Sequence, residues 1–247
     1  MIVQNEQDIE SLHIIGRIVT LTMRHMAEHM HPGMTTIELD KIGAKFLEEH
    51  GANSGPKLAY DFPGYTCISI NEQVAHAPPS NRIIQAGDLV NIDVSAEKDG
   101  YWADTGGSFA VAPVSSKNQK LLDCTKEALE IAINHARAGV PVNEIGKAVE
   151  QHANRHGYHI LQQLAGHGVG RGIHEEPSIP NFYNRHAGEI LKEGMVIALE
   201  PFICSNTRHI VKMRDGWTLR TRDGSLGAQF EHTLIVTDGR PIIVTEI

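Results

Sequence analysis

Several features that would assign the chain to a membrane or an export pathway are missing from the sequence. No uninterrupted apolar run approaches the roughly 18 residues of a membrane span. The first residues, MIVQNEQDIESLH, have neither a basic segment nor an apolar core of the kind found in signal peptides. The three cysteines show no CxxC spacing, so we expect reduced thiols in a cytoplasmic protein.

An excess of positive charge is also missing. The formal net charge is -8, which argues against a general nucleic-acid binder. One local segment is basic and is predicted to be a solvated hairpin; its charged residues are Lys212, Arg214, Arg220 and Arg222. With 247 residues, 41% of them apolar, the chain can bury a sizeable globular core.

No low-complexity linker divides the chain, but a long-period internal repeat is present. The segments Gly33–Gly51 and Gly139–Gly157 both run 18 positions from glycine to glycine, with Glu, Lys and His at matching places 106 residues apart. Both are predicted to be helices, and Thr35 and Glu38 form a capping-box pattern at the first. Longer apolar-periodic runs, 9–30 and 117–138, precede them, so each half is expected to open with a pair of helices.

The repeat continues into predicted strands. AGDLVNIDV and EGMVIALEP each place an acid six residues after a glycine, which makes Asp93 and Glu200 equivalent at an offset of 107. Each acidic strand is followed by a second one, YWADTGGSFAV or GAQFEHTLIV, which contributes Asp104 or Glu231. The Asp99-Gly100 dipeptide between the first two strands is typical of a tight hairpin turn.

These patterns predict an α+β fold of two halves related by a pseudo-twofold axis, with curved antiparallel sheets inside and helices outside. The expected organisation is a single catalytic domain, 1–247, whose repeated halves are approximately 1–112 and 113–247.

Four carboxylates therefore lie in strongly apolar strands. A single acid in a strand is best explained as a solvated or structural residue. Four converging acids without cations would repel one another or take up protons, at a cost of several kcal/mol each. Two divalent cations would balance their charge.

A glycine-rich stretch, GHGVGRGIHEEP, adds histidines to this set. It fits neither the HExxH zinc motif, because Ser178 follows Pro177 where a histidine is needed, nor GxGxxG, because position 169 is valine. The period-two glycines predict a strand through Gly172 whose bare backbone allows close approach. His167 is the expected neutral nitrogen ligand.

The oxygen-rich donor set suits Mn, Fe(II), Co or Zn. Two such ions roughly 3.5–4 Å apart can share a water and convert it to hydroxide near neutral pH, so the predicted activity is hydrolysis. His76 and His174 lie beside turn residues near the ligand segments and are candidates for a catalytic role outside the metal shell.

Taken together, the residues resemble a type I methionine aminopeptidase of the pita-bread fold, in its short bacterial form, over essentially the whole chain. The resemblance implies that the metals are bound by Asp93, Asp104, His167, Glu200 and Glu231. In it, Asp104 and Glu231 bridge both ions and Glu200 also accepts a proton from the bridging water. His76 and His174 would contact the substrate near the scissile carbonyl and amide.

The resemblance also implies a pocket for the substrate methionine, lined by Phe62, Cys67, Ile173 and Trp217. The interval from Glu200 to Glu231 is only 31 residues, which fits type I rather than type II. The family usually has glycine after the first substrate-side histidine, whereas this chain has Ala77. His167 and His174 would fall on opposite faces of a perfect strand, so a bend or bulge is expected near Gly170–Gly172.

Two other functions remain open at this point. A proline-specific relative, of the aminopeptidase P or prolidase type, shares the metal set but usually carries an extra N-terminal domain. A non-catalytic pita-bread binding module would have lost ligands. The expected partners are the N-terminal methionine of peptides and nascent chains, with no membrane and no specific nucleic acid. We expect a monomer, and transient ribosome contact is left open.

Overall fold

The protein is described here by a computed structural model that covers residues 1–246; the last residue of the predicted domain, 247, lies outside the described residues. Within that range the chain forms five helices: α1 Glu6–His29, α2 Thr36–Glu49, α3 Gly55–Tyr60, α4 Ser116–His135 and α5 Val142–Arg155. No helix among the described residues is long and apolar enough to span a bilayer.

Fifteen short strands accompany the helices within the described range. In the first half they are β1 Asn53–Ser54, β2 Cys67–Ile70, β3 Gln73–Ala75, β4 Leu89–Lys98 and β5 Tyr101–Ala110. In the second half they are β6 His159–Ile160, β7 Ala165–Gly168, β8 Glu175–Pro180, β9 Val196–Leu199, β10 Phe202–Cys204, β11 Ile210–Lys212, β12 Leu219–Thr221, β13 Gly227–Gln229, β14 His232–Ile235 and β15 Ile242–Ile243.

The predicted helix pairs are present. Thr35 caps α2, and its side chain and that of Glu38 satisfy each other's backbone N–H groups, which confirms the capping box. The equivalent position before α5 is Pro141, which makes no side-chain cap. Pro141 has a φ of -73°, close to the angle that the pyrrolidine ring imposes.

The strands form four antiparallel sheets. β4 pairs with β5 on one side and with β1 and β2 on the other, while a five-stranded sheet has the order β15-β14-β9-β7-β8. Smaller sheets join β13-β10-β6 and β11-β12-β3. One apolar cluster lies between α1, α2 and the β4–β5 hairpin, and another between α4, α5 and the second-half strands. The strands around the predicted acids are therefore buried under helices.

The basic segment is a hairpin of β11 and β12, as predicted. It is less solvated than expected, because β12 lies between β11 and β3. Arg220 is consequently half-buried, and its Nε has no hydrogen-bond partner.

Candidate active site

The first two predicted acids lie on one continuous hairpin. Asp93 of β4 is paired with Gly106, and Asp104 of β5 is paired with Ser95. Because side chains alternate with period two along a strand, this register places both acids on the same face. The turn residues Asp99 and Gly100 have φ values of 52° and 81°, which suit the tight turn that holds the register.

The second pair of acids differs from the expectation. Glu200 and Glu231 were predicted within strands, but each lies in a break: β9 ends at Leu199 and β13 ends at Gln229. Glu200 is followed by Pro201, which has no N–H for a strand ladder. The N–H of Glu231 donates to the carbonyl of Gly106 at 2.9 Å. At Glu231 the backbone of the second half therefore turns toward the first-half hairpin.

His167 lies at the end of β7, next to a register shift between His167 and Gly168. The strand was predicted to continue to Gly172, which is wrong: it ends at Gly168 and the chain bends, with a φ of +124° at Gly170. The predicted bend near Gly170–Gly172 is present.

The glycines flanking His167 allow neighbouring backbone to approach closely. A side chain at Gly166 would collide with the carbonyl of Ala198, and one at Gly168 with the carbonyl of Glu176. The bare face expected from the alternating glycines is thus packed against β9 and β8.

The hydrogen bonding of His167 leaves one ring nitrogen available. Its Nδ1 lies 2.9 Å from the carbonyl of Gly168 and is assigned as the donor. Its Nε2 lies 3.6 Å from Glu200 Oε1 and 3.9 Å from Asp104 Oδ2. Burial lowers the pKa of His167 to about 4, so the ring is neutral and Nε2 presents a lone pair to the acids. A backbone carbonyl that fixes the other nitrogen is the usual support of a metal-binding histidine.

The donor atoms fit a divalent cation. One ligand atom each from Asp104, His167 and Glu231 lies within 4.8 Å of the others. Asp104 Oδ1 and Glu231 Oε1 are buried without any hydrogen-bond partner, and such orphaned oxygens are costly unless a cation or proton satisfies them.

The charges of the acids support the same conclusion. Burial raises the pKa of Asp93 to about 6. Burial, followed by repulsion from neighbouring acids, raises the pKa values of Asp104, Glu200 and Glu231 well above their usual range. Without a cation, the cluster would hold protons near neutral pH.

The cluster opens into a cavity of about 310 Å³. With the exception of Glu231, all predicted site residues line it: Phe62, Cys67, His76, Asp93, Asp104, His167, Ile173, His174, Glu200 and Trp217. Glu231 is 2% exposed and contributes to the adjoining group of metal-type donors. Six residues that were not predicted complete the lining: Pro56, Tyr60, Ser95, Lys212, Gly216 and Leu219.

The two histidines outside the cluster face the cavity. His174 is 4.3 Å from His167 between ring centroids, and its Nδ1 lies 2.5 Å from the hydroxyl of Tyr60. His76 lines the cavity, and burial, followed by the charges of His174 and Lys212, lowers the pKa of His76 to about 4. Burial also lowers the pKa of His174. Both rings are neutral at pH 7 and can donate or accept a hydrogen bond.

The proposed methionine pocket is enclosed by aromatic and sulfur-bearing side chains. Phe62 and Trp217 meet edge to face at 5.1 Å, a favourable geometry for two rings. Cys67 is paired with Asp93 in the sheet, and burial raises the pKa of its thiol well above the usual value. The thiol is therefore neutral next to the acids.

Several residues that support the site were not predicted. Gln229 Nε2 donates to Glu231 Oε2 at 2.9 Å, and Asn91 Nδ2 donates to Gln229 Oε1 at 2.8 Å. Gly106 leaves room for this amide, because a Cβ there would approach Gln229 Oε1 to 2.5 Å. Gln229 could have been found in the sequence from its position, two residues before Glu231.

A second missed support is Glu175, which holds the bend between the two histidines. Its Oε1 accepts hydrogen bonds from the backbone N–H groups of Arg171 and Gly172 at 2.6 and 2.7 Å. Its other oxygen pairs with the ammonium of Met1.

A buried cluster of acids and a neutral histidine, supported by antiparallel strands under helices, is the arrangement of a metallopeptidase. The chain belongs to metallopeptidase family M24, which it matches over residues 10–238. Its fold is the pita-bread fold, as predicted. The chain is 47% identical to methionine aminopeptidase 2 of Bacillus subtilis, with 100% of both chains covered. It resembles the crystal structure of methionine aminopeptidase from Rickettsia prowazekii with a TM-score of 0.95 and 36% identity, again over 100% of both chains.

The proline-specific alternative is not favoured. Prolidase from Pyrococcus furiosus resembles the chain with a TM-score of 0.79, but the identity is 23% and only 66% of that protein is covered. This likeness shows a shared fold alone.

Proposed function

We propose that the protein removes the N-terminal methionine from nascent proteins and peptides whose second residue is small. The proposal rests on the position of the buried acids and His167. This cluster opens directly into a cavity lined by Phe62, Cys67, Ile173 and Trp217. A flexible thioether packs well against aromatic rings. Relatives that are 36–47% identical over nearly the whole chain are named methionine aminopeptidases.

We propose that Asp93, Asp104, His167, Glu200 and Glu231 hold two divalent ions, with Asp104 and Glu231 shared between them. The orphaned oxygens of Asp104 and Glu231 support a role for both acids as ligands. When bound, such ions polarise a carbonyl and lower the pKa of a water. Co, Mn, Fe(II) and Zn all suit the donor set.

The side chains around the cluster are suited to distinct proton and hydrogen-bond roles. Burial, together with the charges of Asp104 and Asp93, raises the pKa of Glu200. Once the ions are bound and this carboxyl is ionised, it could accept a proton from the attacking water and pass it to the leaving amine. With the Tyr60 hydroxyl assigned as the donor to His174 Nδ1, Nε2–H would be left to donate to the substrate near the scissile bond. His76 supplies a second neutral ring on the cavity wall.

His76, His174 and Tyr60 line the same cavity as the proposed methionine pocket. We infer that they limit the room for the second residue, so that a small residue is accepted there and a long or aromatic one is not. We infer that Ala77, in place of the usual glycine, affects this rim rather than the chemistry, because Ala77 is 2% exposed and packs away from the cavity lining.

We further propose a single catalytic domain whose halves, about 1–112 and 113–247, are related by an internal repeat. The matching order of helix pairs and acidic strands supports it. We propose a cytoplasmic monomer that acts on nascent chains and leaves transient contact with the ribosome open to test.

The deciding experiment compares peptides on a metal-free preparation to which each candidate ion is added back. Met-Ala-Ser is expected to be cleaved after addition of metal, and Met-Lys-Ser to be spared. Ala-Pro peptides serve as the matched alternative substrate. Faster cleavage of Ala-Pro than of Met-Ala-Ser, or full activity in a preparation shown to be metal-free by elemental analysis, would contradict the proposal.

A further inference from the structure

A second group of metal-type donors lies on the helices of the second half, outside the catalytic cavity. It consists of Cys124 on α4 and His152 and His156 at the end of α5, with one donor atom from each within 4.8 Å of the others. Cys124 and His152 are 3% and 5% exposed, while His156 is open to solvent. None of the three lines the active-site cavity, so the group is separate from the acids described above.

The hydrogen bonds of both histidines leave one ring nitrogen free. His152 Nε2 lies 3.2 Å from the carbonyl of Cys124 and 3.4 Å from Glu127 Oε2, and is assigned as the donor. His156 Nδ1 lies 3.0 Å from the carbonyl of His152 and is likewise the donor. The remaining nitrogens, His152 Nδ1 and His156 Nε2, keep their lone pairs. Metal-binding histidines typically have this support, with a carbonyl or carboxylate fixing the other nitrogen.

The two rings are held close together by the helix. His152 and His156 are four residues apart, which places them on one face of α5, and their ring centroids lie 4.4 Å apart. Cys124 approaches from α4, which packs along α5 in the same apolar cluster. One sulfur and two imidazole nitrogens form a donor set that zinc favours, and it is softer than the oxygen-rich set of the active site.

We propose that Cys124, His152 and His156 form a second, peripheral site for zinc-class divalent cations, which links α4 to α5 and keeps a solvent-facing fourth position on the side of His156. Binding converts the Cys124 thiol to the thiolate, and its proton passes to solvent. Glu127 supports His152 from outside the site. The expected metal content of the loaded protein is therefore one ion higher than that of the catalytic cluster.

Cobalt(II) is the probe of choice, because a cobalt–thiolate bond gives a near-ultraviolet charge-transfer band that oxygen and nitrogen ligands do not give. The intact protein is expected to develop this band on titration. Cys124→Ser should abolish it, whereas Cys204→Ser, which changes another buried cysteine of the same half, should retain it. Zinc should raise the melting temperature of Asp104→Asn, in which the catalytic site has lost one ligand, and should raise it less once Cys124→Ser is added.

A surface variant keeps the test valid if Cys124→Ser folds poorly. His156→Gln should weaken cobalt affinity at this site by at least the 10- to 100-fold typical of lost support around a metal. His135→Gln is the matched control, because His135 is also exposed near a helix end and bonds the carbonyl four residues earlier. The proposal is overturned if the parent shows no thiolate band at saturation, if the band survives Cys124→Ser, or if His156→Gln and His135→Gln behave alike. The band in Asp104→Asn is independent of peptidase activity, so its outcome is separate from that of the proposed function.

Discussion

The two halves of the molecule each supply two acids to the site, but they support them differently. In the first half, Asp93 and Asp104 lie on long paired strands joined by a two-residue turn. In the second half, Glu200 and Glu231 lie in breaks where the chain passes from one sheet to another. Glutamate is longer by a methylene than aspartate, so it can reach the shared cluster from backbone that lies outside a strand.

The difference shows that the second half depends on the first for its geometry. Glu231 is held by Gly106 through its N–H and by the hydroxyl of Thr105 through its carbonyl, at 2.9 and 3.0 Å. Asp104 is bonded in return to the hydroxyl of Thr233, which accepts from the Asp104 N–H and donates to the Asp104 carbonyl. The broken strands of the second half are therefore hydrogen-bonded to the first-half hairpin on either side of Glu231.

The largest expected effect is the loss of turnover when an acid is removed from the first-half hairpin. Asp104→Asn should reduce turnover more than about 10³-fold, because loss of a shared metal ligand exceeds the 10²–10³-fold cost of one hydrogen-bond donor to the reacting group. Folding should survive, since the amide is nearly isosteric and relieves buried charge. Turnover, metal content and circular dichroism on the same preparation measure both effects.

Asp99→Asn is the matched control in the same hairpin. Asp99 is exposed in the turn with a φ of 52°, which asparagine tolerates. Near-normal activity is expected there. A folded, metal-loaded Asp104→Asn protein with near-normal turnover would remove Asp104 from the centre.

The next-largest expected effect is the loss of turnover when His174, in the bend of the second half, is replaced. His174→Ala should lower turnover by about 10²–10³-fold while metal content stays at that of the parent, because His174 is placed to bond the substrate rather than an ion. His13→Ala, an exposed histidine of α1, is the control. If His174→Ala lost metal and recovered with excess ion, His174 would be a ligand instead.

The sequence was most informative about the first half. The β4–β5 hairpin and its same-face acids follow from alternation and from Asp99-Gly100, which are local signals. The break at Glu231 could not be predicted, because the hydrogen bond that turns it away from its strand goes to Gly106, far away in the sequence. Pro201, by contrast, is a local signal for the break at Glu200. The contact of Tyr60 with His174 is similar, since it joins residues 114 positions apart.

A smaller effect, on metal affinity, is expected when the hydrogen bond that orients Glu231 is removed. Gln229→Ala removes the amide that orients Glu231 and one of the two acceptors of the Asn91 amide, the other being the hydroxyl of Ser108. Metal affinity should fall by about 10- to 100-fold, as is typical when support around a metal ligand is lost, while turnover at saturating metal should fall less. Metal titration by calorimetry measures the affinity.

Gln119→Ala, on the exposed surface of α4, is the corresponding control for Gln229→Ala. Equal metal affinities in the two variants would show that the second-half acids do not need this support.

The smallest expected effect is the pH dependence of metal affinity, which is set by the pKa values of the four acids. A carboxyl group with a raised pKa in the folded protein stabilises the metal-free state at low pH, and this contribution is lost as the pH rises through the folded value. For Asp93 that value is about 6, and the pKa values of Asp104, Glu200 and Glu231 are raised well above their usual range. Metal binding must expel these protons, so affinity should rise between pH 6 and 8 by about tenfold per pH unit for each proton released.

His167 releases no proton in this range, because its pKa is about 4. Calorimetric titration in buffers of different ionisation enthalpy counts the protons. Because the pKa of Asp93 is about 6, Asp93→Asn should change the count at pH 6 more than at pH 8. Glu231→Gln removes another acid whose pKa is raised well above its usual range, so it should also reduce the count. A proton count of zero at pH 6 in the parent would mean that the acids are already ionised in the metal-free protein, and that the two halves hold separated charges instead of a shared, protonated cluster.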